Sequence, residues 1–472
     1  MKRLAVDVGG TFTDIVYIDE DTMRVRYEKV RSTPDDPIRG VIEAIKKINH
    51  EMGKIAVLIF GSTVGLNILI QKKGAKVGLL TTQGFTDVLE MARGDRKELY
   101  NNLWKKPVSL VPRRLRLGVS ERMDYQGGIV KELNEAEVQA LINKLLDNGV
   151  EAIAVCLLHS YANPENEQKI GKILGRMLPS EAISLSHEVV REFREYERTS
   201  TTVLDAYIKK SVVTSLNRLE KNLGEMGFNG QVPMAGTNGI LDINTARQKA
   251  ISTLNSGPIG GAAGAAYLAG ITGVKNLVTM DVGGTSFDVS VIKDGKSLEK
   301  YEVELLGYPV LMPGIDLCSI GAGGGSIAWI DAGGMLQVGP RSAGAAPGPM
   351  GYDIGGTEPT VTDAAVVNGL IDPEYFAGGE VRLDKNLAEK GINDLGKKLG
   401  LDANETADGI LTIARNNMTT ATGEILIRQG YDPRDFAIMS FGGGGGLFST
   451  GIARDMGITR VVIPPNPAVF CA

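Results

Sequence analysis

Cysteine is scarce in this chain, which has only Cys156, Cys318 and Cys471 among 472 residues. So few cysteines, without zinc-type spacing, exclude a disulfide framework and a zinc cluster. No run of about 18 apolar residues suggests a membrane span, and the apolar stretch after Lys2-Arg3 is too short for a signal peptide. No cluster of basic residues suggests nucleic-acid binding. These absences predict a cytoplasmic protein that binds neither membranes nor nucleic acid.

Glycine, in contrast, is abundant: 60 of the 472 residues are glycine, nearly twice the usual share of roughly 7%. The hydrophobic content of 43% and charged content of 23% are those of a globular protein. The net charge of −5 selects no class of partner. The length suffices for about three domains. We therefore expect the extra glycines in turns and in loops that approach phosphate groups.

One glycine motif occurs twice, as Asp-Val-Gly-Gly-Thr-Phe-Thr-Asp at residues 7–14 and as Asp-Val-Gly-Gly-Thr-Ser-Phe-Asp at residues 281–288. Apolar runs flank both copies, which predicts two β-hairpins with Gly-Gly-Thr turns. Adjacent glycines let backbone N–H groups converge on an anion, and strand-end aspartates can hold Mg²⁺ and its waters beside a phosphate. The oxygen-bearing residues of the two copies are Asp7 and Thr11, and Asp281 and Thr285. One copy alone could be an ordinary hairpin, but the pair favours two phosphate-binding jaws.

Strands and helices alternate between and after the two motifs. A third strand at residues 23–31 and alternating elements up to residue 186 predict a mixed α/β region with a parallel sheet. One long helix is predicted over residues 191–223, and a helix of small residues after residue 255 suits a hinge. A second long helix at residues 402–429 precedes a strand and a run of five glycines from Gly442, which suits close approach to a nucleotide.

Two stretches outside the motifs contain candidate substrate residues. Residues 93–119 hold charges, prolines and large aromatics, which fits either a surface loop or a lid over a substrate. Residues 339–362 form a long loop rich in glycine, alanine and proline, of a kind that compact domains rarely carry without a function. The candidates for substrate contact are Asn67, Arg93, Asp316, Ser326, Glu358 and Asp363. For Asp363, capping of the helix that follows is an alternative role.

The order of these motifs resembles the sugar kinase, Hsp70 and actin superfamily, and within it the hydantoinase A/5-oxoprolinase family, which includes subunits of acetone and acetophenone carboxylases. The most specific string is Gly-Gly-Thr-Glu-Pro-Thr-Val-Thr-Asp at residues 355–363, and the resemblance covers essentially the whole chain. It implies an α/β fold of two actin-like (ribonuclease H-like) lobes, with mixed sheets flanked by helices and with inserted loops. We expect residues 1–190 to form the first lobe, 191–275 the linking and hinge helices, and 276–472 the second lobe.

The resemblance also implies an ATP-using enzyme that phosphorylates an amide or ketone oxygen, so that a cyclic amide is hydrolysed or a ketone is carboxylated. The expected partner is a subunit of hydantoinase B type. Asp7 and Asp281 would hold Mg²⁺, or Mn²⁺ in its place, and Thr11 and Thr285 would complete the catalytic set. The expected nucleotide-binding residues are Gly9, Gly10, Thr13, Asp14, Gly283, Gly284, Asp288, Gly442, Gly443, Gly444 and Gly445.

The chain departs from the family pattern at three places. Phe60 stands where relatives often have histidine, and the sequences around residues 351–353 and 442–446 differ from the usual ones. Relatives also continue beyond residue 472 into a second hinge helix and a further domain. We therefore expect a separate chain to supply that part and to cover exposed apolar residues at positions 461–463, 469 and 470, with an inactive remnant as the competing explanation.

Two other functions stay open at this point. One is a small-molecule kinase with a stable phosphorylated product, and the other is a non-catalytic ATPase of the actin or Hsp70 type. The residues do not decide whether the substrate is a cyclic amide, a hydantoin or a ketone.

Overall fold

A computed structural model describes residues 1–9, 12–33, 36–48, 51–94, 96, 99–237, 239–254, 256–379 and 381–472. The strands of the first half are β1 (Lys2–Val8), β2 (Phe12–Asp19), β3 (Arg24–Arg31), β4 (Ile55–Ser62), β5 (Val77–Thr82), β6 (Arg116–Val119), β7 (Arg122–Met123), β8 (Ile129–Lys131), β9 (Ala152–Cys156), β10 (Ile183–Leu185), β11 (Met234–Gly236) and β12 (Gly239–Leu241). The helices of this half are α1 (Pro37–Ile48), α2 (Val64–Gln71), α3 (Val88–Met91), α4 (Glu135–Asp147), α5 (Glu165–Leu174), α6 (Ser186–Val189), α7 (Glu195–Glu225) and α8 (Ile243–Gln248).

The second half begins with helix α9 (Ser256–Thr272). Its strands are β13 (Leu277–Val282), β14 (Phe287–Lys293), β15 (Lys296–Ser297), β16 (Glu299–Leu305), β17 (Tyr308–Ile315), β18 (Leu317–Ile320), β19 (Ser326–Ile330), β20 (Leu336–Ser342), β21 (Ala437–Phe441) and β22 (Val461–Val462). The remaining helices are α10 (Val361–Val367), α11 (Lys385–Leu399), α12 (Ala403–Arg428) and α13 (Gly445–Met456). No helix in the described residues is both long enough and apolar enough to cross a membrane.

The same strand order occurs in the main sheet of each half. In the first half the order is β12-β11-β4-β1-β2-β3, with β1–β2 antiparallel and β1–β4 parallel. In the second half the order is β15-β14-β13-β21-β22, with β13–β14 antiparallel and β13–β21 parallel. Alternating burial along β1 and β2 and nearly complete burial along β13 and β14 explain why each pair forms a sheet against a core. This repetition is the two-lobe, actin-like fold that the sequence predicts.

A third sheet of four parallel strands, in the order β10-β9-β5-β6, follows the first lobe's main sheet. Its strands β5 and β9 are buried throughout, as expected for a parallel sheet covered on both faces. The 31-residue helix α7 packs on this sheet and contributes Val203, Leu204 and Ile208 to the same core. The predicted long helix and α/β alternation are therefore confirmed.

The hairpin of β16 and β17, here called the arm, is an element that the sequence analysis did not predict. It belongs to the second half of the chain, yet Leu305, Val310 and Leu311 lie in the hydrophobic core of the first half. The backbone N–H of Leu311 donates to Thr201 Oγ1 on α7 at 2.9 Å. The arm therefore fastens the second half of the chain to the first.

The last residues are less exposed than the sequence analysis predicted. Val469 is only 6% exposed, and the ring of Phe470 lies 4.9 Å from that of Phe441. Of the predicted residues, Ile463 is the one that is clearly exposed, at 56%. The prediction of exposure is wrong for Val469 because the short turn after residue 466 folds back on β21.

Candidate active site

The two Gly-Gly-Thr hairpins have matching geometry. Asp7 pairs with Asp14 across β1 and β2, and Asp281 pairs with Asp288 across β13 and β14. Each turn is closed by the first glycine, whose N–H donates at 3.0 Å to the carbonyl three residues on: Gly9 to Phe12 and Gly283 to Ser286. Gly10 and Thr11 of the first turn lie outside the described residues. Each hairpin thus places two aspartates at the end of a strand pair beside the turn.

Helix α9 brings the two aspartate-bearing strands together. At Gly257 a Cβ atom would lie 2.9 Å from Asp7 Oδ2, and at Gly261 one would lie 2.6 Å from the ring of Phe441, the residue that pairs with Asp281. These glycines are one helical turn apart, which is about 6 Å along the axis. The small residues of α9 are therefore needed because both lobes touch this helix within one turn. Its role as a hinge stays a prediction.

Asp7 is a partly buried residue whose Oδ1 atom is fully buried in a confined space. A Cβ atom at Gly61 would lie 2.9 Å from its Oδ1, and this oxygen has no hydrogen-bond partner in the described part of the chain. Burial, reinforced by the charges of Asp14 and Asp281, raises the pKa of Asp7 to about 7. A buried acceptor without a partner is costly unless a ligand satisfies it.

Asp281 has a similar environment in the second lobe. Burial and the charge of Asp288 raise its pKa to about 7, and a hydrogen bond from Cys471 partly opposes that rise. Burial and the charge of Asp281 keep the pKa of Cys471 well above its ordinary value, so the protonated thiol donates to Asp281 Oδ2 at 3.1 Å. Burial also raises the pKa values of Asp14 and Asp288. The site therefore concentrates four carboxyl groups whose ionisation is costly without a cation.

The second turn is supported by the glycines of residues 321–325. The N–H of Gly324 donates to Gly283 O at 3.0 Å, and that of Gly325 donates to Gly284 O at 2.7 Å. These bonds occupy the turn's carbonyl groups and leave its amides free, because the N–H groups of Gly284 and Thr285 have no acceptor among the described residues. Exposed amides on adjacent residues form a cradle for an anion.

The glycine run after β21 divides into two kinds of position. A Cβ atom at Gly442 would lie 2.6 Å from Val282 O, and one at Gly444 would lie 2.9 Å from Val282 Cγ1. Gly445, the first residue of α13, lies against Ser440. Gly443 and Gly446 have nothing within 4 Å of an added Cβ atom. Packing therefore requires glycine at 442, 444 and 445, whereas Gly443 and Gly446 are bare at the cavity wall.

Most of these groups surround one cavity of about 1830 Å³, here called the central cavity. Its wall includes the following predicted nucleotide, metal and catalytic residues: Asp7, Gly9, Asp14, Asp281, Gly283, Gly284, Thr285, Asp288, Gly442, Gly443 and Gly444. Thr13 and Gly445 do not line it, since Thr13 is buried and bonded to Ser32 Oγ at 3.1 Å. The two hairpins thus open into a common space.

Two family profiles match the chain: that of the hydantoinase/oxoprolinase N-terminal region matches residues 3–178, and that of hydantoinase/oxoprolinase matches residues 198–472. The chain belongs to the hydantoinase/oxoprolinase family. The acetophenone carboxylase gamma subunit of Aromatoleum aromaticum is 38% identical, over 100% of this chain and 67% of the relative.

Two solved structures support this assignment of the hydantoinase/oxoprolinase fold. A nucleotide-free acetone carboxylase structure aligns with a TM-score of 0.87 at 29% identity, over 99% of this chain and 69% of that chain. The ATP-dependent caprolactamase from Pseudomonas jessenii aligns with a TM-score of 0.84 at 36% identity, over 99% of this chain and 70% of that chain.

Two of the predicted substrate residues of this hydantoinase/oxoprolinase member lie at the central cavity. Asn67 on α2 donates to Thr63 Oγ1 at 3.2 Å. Asp316, at the base of the arm, is only 2% exposed, accepts from Gln429 Nε2 at 2.7 Å and forms an ion pair with Lys300. Asn67 and Asp316 are thus the two substrate candidates that line the cavity, and their contact with a substrate stays a prediction.

The other four substrate candidates do not line the central cavity. Arg93 lines a separate shallow cavity and pairs with Glu197, at 2.7 and 2.6 Å. Ser326 accepts from Gly323 N at 2.8 Å, and exposed Glu358 pairs with Arg341. Asp363 is buried and forms a capping box with Thr360, which supports the capping role. Local sequence did not distinguish these structural contacts from ligand contacts.

Lys29 is a cavity residue that the sequence analysis missed. It lies opposite Asp14 in the register of β2 and β3, forms an ion pair with that carboxylate, and also donates to Ala468 O at 3.0 Å. Its charge opposes the rise in the pKa values of Asp7 and Asp281. The alternation of β3 could have indicated which face Lys29 occupies, but the contact with residue 468 depends on the tertiary fold.

We predict that Lys29→Met shifts the acidic limb of the pH–activity profile to higher pH, because the cavity carboxyl groups lose the cation that favours their ionised forms. The shift is measured as phosphate release from ATP between pH 5.5 and 9. Lys29→Arg, which keeps the charge, is the matched control and should retain the original profile. An unchanged profile in Lys29→Met would contradict this role.

Proposed function

We propose that this chain is the ATP-binding subunit of a multisubunit enzyme that phosphorylates the carbonyl oxygen of a small amide or ketone. The observation that supports this most directly is the convergence of two aspartate-led glycine turns on one cavity. The chain's relatives include an ATP-dependent caprolactamase and an ATP-dependent acetone carboxylase, which favours an amide or a ketone as substrate.

The residues present fit a magnesium–nucleotide complex. Mg²⁺ prefers hard oxygen ligands, commonly binds through one or two carboxylates and keeps several waters. Asp7 offers a buried oxygen with no partner in the described residues, and Asp281 faces the same cavity. In the described part of the chain, no three acidic, histidine or cysteine side chains form a direct metal site. We therefore assign to Asp7 and Asp281 the binding of Mg²⁺ through its waters.

The backbone amides would hold the phosphates. Gly284 and Thr285 present N–H groups at the second turn, and both residues line the central cavity. Their equivalents in the first turn, Gly10 and Thr11, lie outside the described residues. The bare positions Gly443 and Gly446 would lie against the nucleoside. ATP with Mg²⁺ supplies the phosphoryl group, and catalysis then consists chiefly of positioning and charge neutralisation.

The chemistry requires no nucleophilic side chain. The substrate's carbonyl oxygen would bond to the γ-phosphorus as the bond to ADP breaks. In amide hydrolysis, water would then add to the activated carbon and the carbon–nitrogen bond would open, with the nitrogen leaving as the amine, to give an acyl phosphate. A second water would hydrolyse the acyl phosphate to the carboxylate and phosphate. In carboxylation, the phosphorylated ketone would instead lose an α-proton to give an enol phosphate, and a second phosphoryl transfer from ATP would convert bicarbonate to carboxyphosphate. The enol carbon would bond to the carboxyphosphate carbon as phosphate leaves it, and water would remove the phosphate from the ketone oxygen. Asn67 and Asp316, which line the cavity, would orient the substrate.

The test is phosphate release from ATP, screened against 5-oxoproline, hydantoins, lactams, and ketones with bicarbonate, with and without a hydantoinase B-type subunit. We expect one substrate class to stimulate release, and the B-type subunit to be needed for the final product. Accumulation of a stable phosphorylated substrate would instead identify a kinase. Phosphate release that no small molecule changes would contradict the proposal.

A further inference from the structure

An exposed apolar and basic surface lies outside the site described above. It is formed by residues 99–114, here called the basic loop, which connect α3 to β6. Its exposed apolar side chains are Leu99, Tyr100, Leu103 and Val108, whose relative exposures lie between 67% and 93%. Monomeric proteins rarely expose several large apolar side chains in one short segment unless a partner covers them.

All charged side chains of the basic loop are positive. It contains Lys105, Lys106, Arg113 and Arg114 and no aspartate or glutamate, although the whole chain has a net charge of −5. Lys106 Nζ donates to Met91 O at 2.6 Å, and Arg113 pairs with Asp87. Neither Lys105 nor Arg114 forms an ion pair with any described residue. Two exposed cations are therefore available to a partner.

The basic loop is anchored rather than loosely attached. Val111 is fully buried, and Val108 O accepts from Tyr308 Oη at 2.6 Å. At the tip of the arm, a Cβ atom on Gly307 would lie 2.6 Å from Pro107 Cγ. Half-exposed Leu306 extends the apolar surface and also lines the central cavity. The loop and arm tip therefore form one surface that continues to the cavity.

We infer that the basic loop and the arm tip are the docking surface for the partner subunit, and that this partner presents an acidic face with an apolar pocket. The inference deepens the multisubunit function proposed above. Aromatic and aliphatic anchors surrounded by charges are the usual composition of such interfaces. Nucleic acid or an anionic membrane would match the charge, but the exposed apolar side chains of Tyr100, Leu103 and Val108 favour a protein pocket.

The position of the basic loop and the arm tip relative to the central cavity affects how an intermediate could reach the partner. Because Leu306 at the arm tip also lines the central cavity, a partner bound here would contact a residue of the cavity wall. An activated carbonyl compound is short-lived in water. A partner bound near the central cavity would shorten the distance that this intermediate must travel. The charge pattern would accelerate association and make it sensitive to salt.

The test measures binding of a purified hydantoinase B-type subunit from the same genome to the full chain, without nucleotide. We expect the double variant Tyr100→Ser/Leu103→Ser to lose at least about tenfold in affinity. Lys105→Glu/Arg114→Glu should slow association and reverse its salt dependence. The matched controls are Tyr125→Ser/Val130→Ser and Lys172→Glu/Arg176→Glu, which alter exposed residues elsewhere and should bind as the parent does.

Unchanged melting temperatures would show that the loop variants stay folded, since these side chains are exposed. Parental affinity in both loop variants, absence of any complex with the B-type subunit, or binding of the loop to anionic vesicles instead would each overturn the inference. Phosphate release is assayed separately, so a failed docking surface with intact ATP turnover is distinguishable from failure of the proposed function.

Discussion

Asp281→Asn is expected to lower substrate-dependent phosphate release from ATP by about 100- to 1000-fold. The neutral amide would bind Mg²⁺ and its waters more weakly than the carboxylate does, and Mg²⁺ is the cation that balances the phosphate charge. Asparagine keeps the shape of the side chain, and its oxygen can still accept the hydrogen bond from Cys471 that Asp281 accepts at 3.1 Å. The loss should therefore appear in turnover while the protein remains folded.

The same substitution should stabilise the protein at high pH. The pKa of Asp281 is about 7 in the folded protein and has an ordinary value of 3.8. Between these values the folded state holds a proton that the unfolded state has lost, so stability is greatest at the acidic end and falls as pH rises towards 7. A pKa difference of this size corresponds to about 4 kcal/mol of unfolding free energy. Asp281→Asn removes the contribution of Asp281 to this dependence, whereas that of Asp7, whose pKa is also about 7, remains.

The measurement is the melting temperature of both proteins from pH 5 to pH 8.5, beside the rate of phosphate release. The variant should melt at the higher temperature above pH 7. Asp294→Asn is the matched control, since Asp294 is exposed and follows the opposite end of β14. It should change neither quantity. Parental turnover in Asp281→Asn would remove Asp281 from the active site.

Gly442→Ala is expected to destabilise the protein by about 2–4 kcal/mol, since overpacking and a disfavoured backbone conformation add together. Gly442 has a φ of +79°, and an added Cβ atom would lie 2.6 Å from Val282 O and 2.8 Å from Val282 N. These are backbone atoms of the strand that carries Asp281, so they cannot move without displacing the second hairpin. Denaturant unfolding measures the loss.

Gly443→Ala is the matched substitution one residue away. An added Cβ atom there meets nothing within 4 Å, so the free energy of unfolding should change by less than about 1 kcal/mol. If the nucleotide lies against this bare position, the variant should bind ATP at least about tenfold more weakly. Equal destabilisation by both substitutions would contradict the packing argument, and unchanged ATP affinity in Gly443→Ala would place the nucleoside elsewhere.

Much of the fold could be predicted because its signals are local. β1 and β2 with their turn glycines lie within about twenty residues of one another, and so do β13 and β14 with theirs. The arm and α11 were not predicted. The arm's apolar residues pack against α7, about a hundred positions earlier, and no local pattern records that pairing.

The candidate site was predictable in part for the same reason. Asp7 and Asp281 could be predicted because each begins the same repeated motif. Lys29 could not, because its position depends on contacts with Asp14 on the neighbouring strand and with Ala468 near residue 472. Ser326 and Glu358 were predicted to contact the substrate. In the structure, Ser326 accepts a hydrogen bond from the backbone of Gly323, and Glu358 forms an ion pair with Arg341. A polar residue in a glycine-rich loop has the same sequence signature whether it binds a ligand or a neighbour.

By itself, the sequence determined the two hairpins, their aspartates and the α/β alternation, since turn chemistry and strand periodicity are properties of neighbouring residues. Only the tertiary structure decided that both hairpins open into one cavity, that Gly257 and Gly261 bring the lobes within a helical turn, and that Arg93 lies elsewhere. The reason is physical: burial raises the pKa values of Asp7 and Asp281, and burial arises from packing between segments that are remote in the chain.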